Sequence, residues 1–204
     1  MSLLPRTAEE FSSADYWERF FRKRGEKAFE WYGDYSSLCG VLHRYIKPRD
    51  KVLVVGCGNS ELSEQLYDVG YHQLTNIDIS ETVVSHMNQR NTERRPDLTF
   101  QQLDATQTGF ESGSFQAALD KGTLDAMASE EDGALAGRML AEVGRVLSVG
   151  GRKNPIHFLH SRTDFNGNLL TIQNCFTMSY KGINQWHMLL LKLSACVISP
   201  YFFK

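Results

Sequence analysis

The stretch "KVLVVGCGNSELSEQL", Lys51 to Leu66, runs four apolar residues into a Gly-Cys-Gly turn and then opens into helical spacing. That spacing predicts a strand over Val52 to Val55 and a helix on which Leu62, Leu66 and Val69 share a face. Asn59 or Ser60 is available as its N-cap, and Gly70 stands where a C-terminal glycine is expected. The order of strand, tight turn and helix then repeats. "LTNID", Leu74 to Asp78, reads as a second strand, with Ser80 capping a helix that carries Val83, Val84 and Met87. Beyond Pro96, "LTFQQL", Leu98 to Leu103, reads as a third, and "FQAALD", Phe115 to Asp120, as a fourth. A loop and a helix with Leu135, Met139, Leu140, Val143, Val146 and Leu147 follow. Ahead of the first strand, two helices are predicted over 15–24 and 35–45, the second stopped by Lys47-Pro48-Arg49-Asp50. Strands alternating with crossover helices specify an α/β fold with a doubly wound, Rossmann-like sheet.

In such a sheet, ligands sit beyond the carboxyl ends of the strands, and the first turn lets them approach main chain. Gly56 and Gly58 remove side chains there and permit backbone angles that other residues resist. A lone G-x-G also describes a merely sharp turn, so its surroundings decide. Asp78 follows Gly58 by twenty residues, at the end of the second strand, where a carboxylate accepts hydrogen bonds from both ribose hydroxyls of an adenosine ligand; a capping aspartate is the plainer alternative. Asp104 and Asp120 end the third and fourth strands and complete a row of acids. A dinucleotide fold wants a third glycine, but Glu61 occupies that place, and a carboxylate there repels a pyrophosphate. An adenosine ligand with a positive centre and no phosphate fits better, since acids attract it. S-adenosylmethionine, with its sulfonium, amino group and ribose diol, matches.

Composition agrees with a soluble, globular chain of 204 residues, 42% hydrophobic and 23% charged. A formal net charge of −2 supplies no global field that would draw it to nucleic acid or acidic lipid. The basic run Arg22-Lys23-Arg24 reads as a solvated helix face. Cys39, Cys57, Cys175 and Cys196 have no C-x-x-C spacing, which points to free thiols, no zinc site and a cytoplasmic, reducing address. The N-terminus lacks the apolar core of a secretory signal and carries acids unlike a mitochondrial presequence. No run reaches the roughly 18 apolar residues needed to span a bilayer; "WHMLLLKLSACVIS" is interrupted by Lys192.

The segments "DYWERFF", "FEWYGDY", "VLVVGCGNSELSEQLYDVGY", "NIDIS", "LDKGTLDA" and "MLAEVGRVLSVGGR" resemble the class I S-adenosylmethionine-dependent methyltransferases. Within that family they are similar to the group that methylates lysine and the N-terminus of translation elongation factor 1-alpha. "DKGTLD" carries more of the resemblance than the glycine turn does. The resemblance implies a protein lysine methyltransferase using S-adenosylmethionine. It places Gly56, Cys57 and Gly58 against the methionine part of the cofactor, Asp78 at the ribose, Ile79 against the adenine, and Asp104 and Ala105 at the adenine edge. It sets Lys121 at the methionine end and closes Trp17, Phe21 and Trp31 over the cofactor; core packing is the commoner fate of such aromatic residues. Asp120, Thr123 and Asp125 become candidates for the side facing the acceptor lysine. Methyl transfer requires alignment of a neutral amine, and a lysine near its reference pKa of about 10.4 must first lose a proton. Asp120 and Asp125 are therefore assigned a positioning role.

The resemblance covers Met1 to Arg152 and stops there, dividing the chain into a methyltransferase domain, 1–152, and a divergent tail, 153–204. The family continues into a β-branched fifth strand, a helix and a hairpin. Here "KNPIHFLHSRTDF" follows, with Pro155 removing a ladder donor. The sheet is expected to be incomplete at its C-terminal strands, with an exposed edge; "IHFL" is available to pair in place of the missing strand, but the helix and hairpin behind it have no evident replacement, so marginal stability or aggregation is expected. An abrupt break of this kind is what an alternative transcript would give. Asn154-Pro155-Ile156-His157 is a poor copy of a motif used on nucleic-acid amines. Two other functions remain open on the residues: a small-molecule methyltransferase, and a non-catalytic binding or regulatory protein.

Overall fold

The computed structural model describes Pro5, residues 7–31, 33–129 and 133–148, and the backbone alone of 157–160, 162–163 and 169–170. The expectations placed on Gly150-Gly151-Arg152, Asn154-Pro155, Cys175, Cys196 and the apolar end of the chain lie outside the described residues.

Four strands, β1 (Val52–Val55), β2 (Leu74–Asp78), β3 (Thr99–Gln102) and β4 (Ala117–Asp120), form a parallel sheet with a fifth, β5 (His157–His160), in the order β3-β2-β1-β4-β5. Val55 pairs with Ile77 on one side and Asp120 on the other. The chain leaves β1 in one direction to build β2 and β3 and returns on its other side as β4. The carboxyl end of β1 is thus the switch point where a doubly wound sheet opens a crevice.

Alternate residues of β1 serve opposite faces. Val52 and Val54 join a core with Leu74, Ala117 and Leu119 and with residues of α2 (Ala14–Arg24), α3 (Tyr35–Tyr45), α4 (Leu62–Asp68) and α5 (Glu81–Asn91). Leu53 and Val55 join Ile77 and Ala118 beneath Met139, Val143 and Val146 of α7 (Ala134–Val146). Both β1 faces are buried because helices cover both sides.

Several expectations need correction. A third N-terminal helix, α1 (Ala8–Ser12), precedes the two predicted; Thr7 caps it by accepting the Glu10 amide at 3.1 Å. The loop expected after β4 contains α6 (Thr123–Met127). Phe115, read as strand, is instead bridged to Leu147 at the end of α7, and its amide donates to the Val146 carbonyl at 3.0 Å. Ser80 caps α5 as expected. Glu61, however, is the N-cap residue of α4 and makes no side-chain cap bond; Asn59 is used elsewhere, and Ser60 Oγ accepts only the Leu62 amide within that turn. The edge beside β4 is occupied: Ala117–Asp120 pairs in parallel with His157–His160, so part of "IHFL" stands in the place of the β-branched strand. Two further short strands, β6 (Arg162–Thr163) and β7 (Leu169–Leu170), pair antiparallel to each other.

Candidate cofactor and acceptor site

The glycine turn after β1 is closed by contacts as well as by backbone angle. Gly56 and Gly58 have φ of 57° and 52°. A Cβ on Gly56 would lie 1.7 Å from Thr123 Oγ1, and one on Gly58 3.2 Å from Phe21 Cζ. At Gly56, therefore, the space a side chain would need belongs to Thr123, whose hydroxyl donates to the Val55 carbonyl at 3.2 Å. The buried Cys57 amide donates to Ile77 at 3.0 Å, and burial pushes the thiol pKa well up.

Each strand-end acid is held by backbone amides. Asp78 is 6% exposed; it accepts the Gly58 amide at 2.8 Å and the Ser80 amide at 3.0 Å. Burial raises its pKa, and those N–H groups act against the rise. Asp104 accepts the amide and hydroxyl of Thr106 at 2.7 and 2.8 Å. Asp120 accepts the Thr123 and Leu124 amides at 3.0 and 3.2 Å, so its carboxylate satisfies the free N–H groups that start α6. That is a different use from the amine-positioning role expected of it.

The N-terminal segment is fastened over these ends by three side chains. Glu18 accepts from Ser80 Oγ at 2.6 Å and also from Thr82 and Arg22. Its burial opposes ionisation, but those hydrogen bonds outweigh it and hold the pKa at about 2. Asn59, 3% exposed, accepts the Phe29 amide at 3.1 Å and donates to Lys27 and Gly25 carbonyls at 2.8 and 3.4 Å. Glu30 accepts from Ser60 Oγ at 2.7 Å, from the Glu61 amide at 2.8 Å and from the Lys121 ammonium. Arg24 of the basic run is also engaged: it donates to Lys27 and Ala28 carbonyls and lies over the Phe29 ring, so only part of that run is a solvated face.

These pieces enclose a cavity of about 220 Å3. Its lining brings together thirteen of the fourteen residues singled out from sequence: Gly56, Cys57, Gly58, Asp78, Ile79, Asp104, Ala105, Asp120, Lys121, Thr123, Trp17, Phe21 and Trp31. Asp125, on α6, is not in that lining. The aromatic residues both pack and line: Phe11, Trp17 and Trp31 sit with ring centroids 5.9–6.4 Å apart around one corner. Phe11, Phe29, Glu18 and Glu30 were missed from sequence. An acid between two aromatic residues, Phe29-Glu30-Trp31, was the signal available for one of them. No group of three metal-ligating side chains occurs among the described residues. None of the described helices is long and apolar enough to cross a membrane.

Residues 52–151 match the family of methyltransferase domains. Over 152 residues, 74% of this chain, it is 95% identical to the eEF1A lysine and N-terminal methyltransferase of Danio rerio. Residues 52–151 belong to the methyltransferase-domain family. A relative of the same name from Homo sapiens is 63% identical over 155 residues. The chain spans 22% of the length of each of these relatives. Among solved structures, one from work on conversion of a disulfide bond into a thioacetal group during echinomycin biosynthesis aligns with a TM-score of 0.57. It is 22% identical, covers 74% of this chain and is itself covered to 61%, a likeness of fold.

The lining suits the cofactor that such folds imply. Three carboxylates, Asp78, Asp104 and Asp120, face one ammonium, Lys121, which Glu30 already pairs. That balance favours a cationic ligand. The half-exposed Ile79 offers an apolar surface at the cavity.

Proposed function

We propose that residues 1–152 form an S-adenosylmethionine-dependent protein lysine methyltransferase domain acting on translation elongation factor 1-alpha, with residues 153–204 as a divergent tail. The acidic, glycine-floored cavity at the β1 switch point carries this reading, and the names of relatives up to 95% identical supply the acceptor. Asp78 would hold the ribose hydroxyls, and Ile79, Asp104 and Ala105 the adenine. Gly56, Cys57, Gly58 and Lys121 would meet the methionine part, under Trp17, Phe21 and Trp31. The cofactor supplies an electrophilic methyl group when bound.

The chain's own residues orient and exclude water. Aromatic rings from the N-terminal segment close one side of the cavity, which strengthens every electrostatic contact inside it. Thr123 lies against the glycine turn, where its hydroxyl oxygen can accept a hydrogen bond from an incoming amine. Asp120 acts indirectly, by fixing the start of α6 and hence Thr123. A cytoplasmic location is part of the proposal, in keeping with the free thiols of Cys39 and Cys57.

Titration of the full chain with S-adenosylmethionine, followed by transfer of labelled methyl to elongation factor 1-alpha, tests this. Saturable binding and label on a lysine are expected. Binding without transfer would redirect the reading to another acceptor or a regulatory binder; no binding would overturn it.

A further inference from the structure

Lys121 is the only cation in the cavity lining among the described residues, and its position is awkward for a site that takes a sulfonium. Its side chain is 11% exposed, and its ammonium reaches the Glu30 carboxylate and, at 3.3 Å, the Gly33 carbonyl. Burial lowers the lysine's pKa, and Glu30 acts against that fall. Asp34 adds a weaker attraction, but its own carboxylate is taken up capping α3 through Ser36 and Ser37. Glu30 is the group placed to cancel the ammonium at short range.

We infer that Glu30 is a specificity-determining residue: by masking Lys121 it gives the cavity its preference for the cationic sulfonium over the neutral thioether left after methyl transfer. The inference rests on the cofactor reading above and deepens it. S-adenosylmethionine and S-adenosylhomocysteine share the adenosine, the amino group and the carboxylate; they differ in one methyl and one positive charge. Any contact with the shared parts, including one from Lys121 to the carboxylate, affects both alike. Only the local charge separates them, and a unit charge several ångströms away in partly solvated protein changes affinity on the order of three- to tenfold.

Glu30 also fastens the N-terminal segment through Ser60 and the Glu61 amide. A purely structural role would weaken both ligands equally, so the ratio of their dissociation constants distinguishes the two roles. Glu30→Gln removes the charge and keeps one carbonyl oxygen for the Glu61 amide, while its amide nitrogen, in place of the second oxygen, can donate to the Ser60 hydroxyl oxygen. Calorimetric titration of the full chain should then show the S-adenosylmethionine to S-adenosylhomocysteine dissociation-constant ratio rising about three- to tenfold. Lys121→Gln leaves the carboxylate unmasked and should move the ratio the opposite way; this variant decides the matter if Glu30→Gln fails to fold. Equal factors for the two ligands, or shifts of the same sign in both variants, overturn the inference while leaving the cofactor reading intact. Failure of the unsubstituted chain to bind either compound overturns both, and is seen before any variant is compared.

Discussion

The strand ends and the N-terminal segment build the same cavity by opposite means. Asp78, Asp104 and Asp120 are each held by amides two to four residues further along the chain. Glu18, Asn59 and Glu30 bridge separations of 62, 30 and 91 residues. Asp104 and Asp120 therefore take their places as soon as their own strand and turn form, while Asp78 also needs the Gly58 amide of the turn after β1. The N-terminal segment takes its place only when the whole sheet exists to receive it, so it is the part expected to open at lowest cost.

Gly56→Ala should do the most damage, because it attacks the turn on which the strand-end side of the cavity is built. The substitution puts a side chain at φ 57° and 1.7 Å from Thr123 Oγ1. Backbone strain and overpacking together should cost about 3 kcal/mol, a large share of a domain's ordinary stability. Denaturant unfolding checks it, and adding Thr123→Ala should recover part of the packing share, since the Cβ at 123 stays 2.8 Å away, and none of the strain.

Asn59→Ala should separate the regions. It leaves the Phe29 amide and the Lys27 carbonyl without their partner, at a cost of about 2 kcal/mol. Hydrogen exchange at Phe29 should quicken while β1 and β2 amides keep their protection. Equal loss across the sheet would show that the segment and the strands unfold as one unit.

The smallest effect concerns acid. The Glu18 pKa lies at about 2 against an ordinary 4.5, so its hydrogen bonds contribute stability fully above pH 4.5 and lose it as pH falls toward 2. Glu18→Gln should flatten that limb by at most about 1 kcal/mol, since water screens the group. Equilibrium unfolding measured across that pH range reads the difference.

The contrast also explains what was legible. Val52–Val55 and Leu74–Asp78 have the bounds the residue pattern gave, and the Ser80 cap was readable from its place before an apolar helix face. The α6 helix was missed because its N-cap residue, Gly122, has no side chain and its capping carboxylate lies on the preceding strand. His157–His160 lacks β-branched residues, so its pairing beside β4 was only an option in the sequence.

Sequence alone determined the parallel sheet, the glycine turn and the row of acids, because periodicity and capping act over a few residues and leave their spacing in the chain. Tertiary structure decided that Gly56 yields to Thr123 and that Glu30 meets Lys121. Those contacts join residues far apart in the chain, and no local pattern encodes a meeting that exists only once the strands have set both partners at the same end of the sheet.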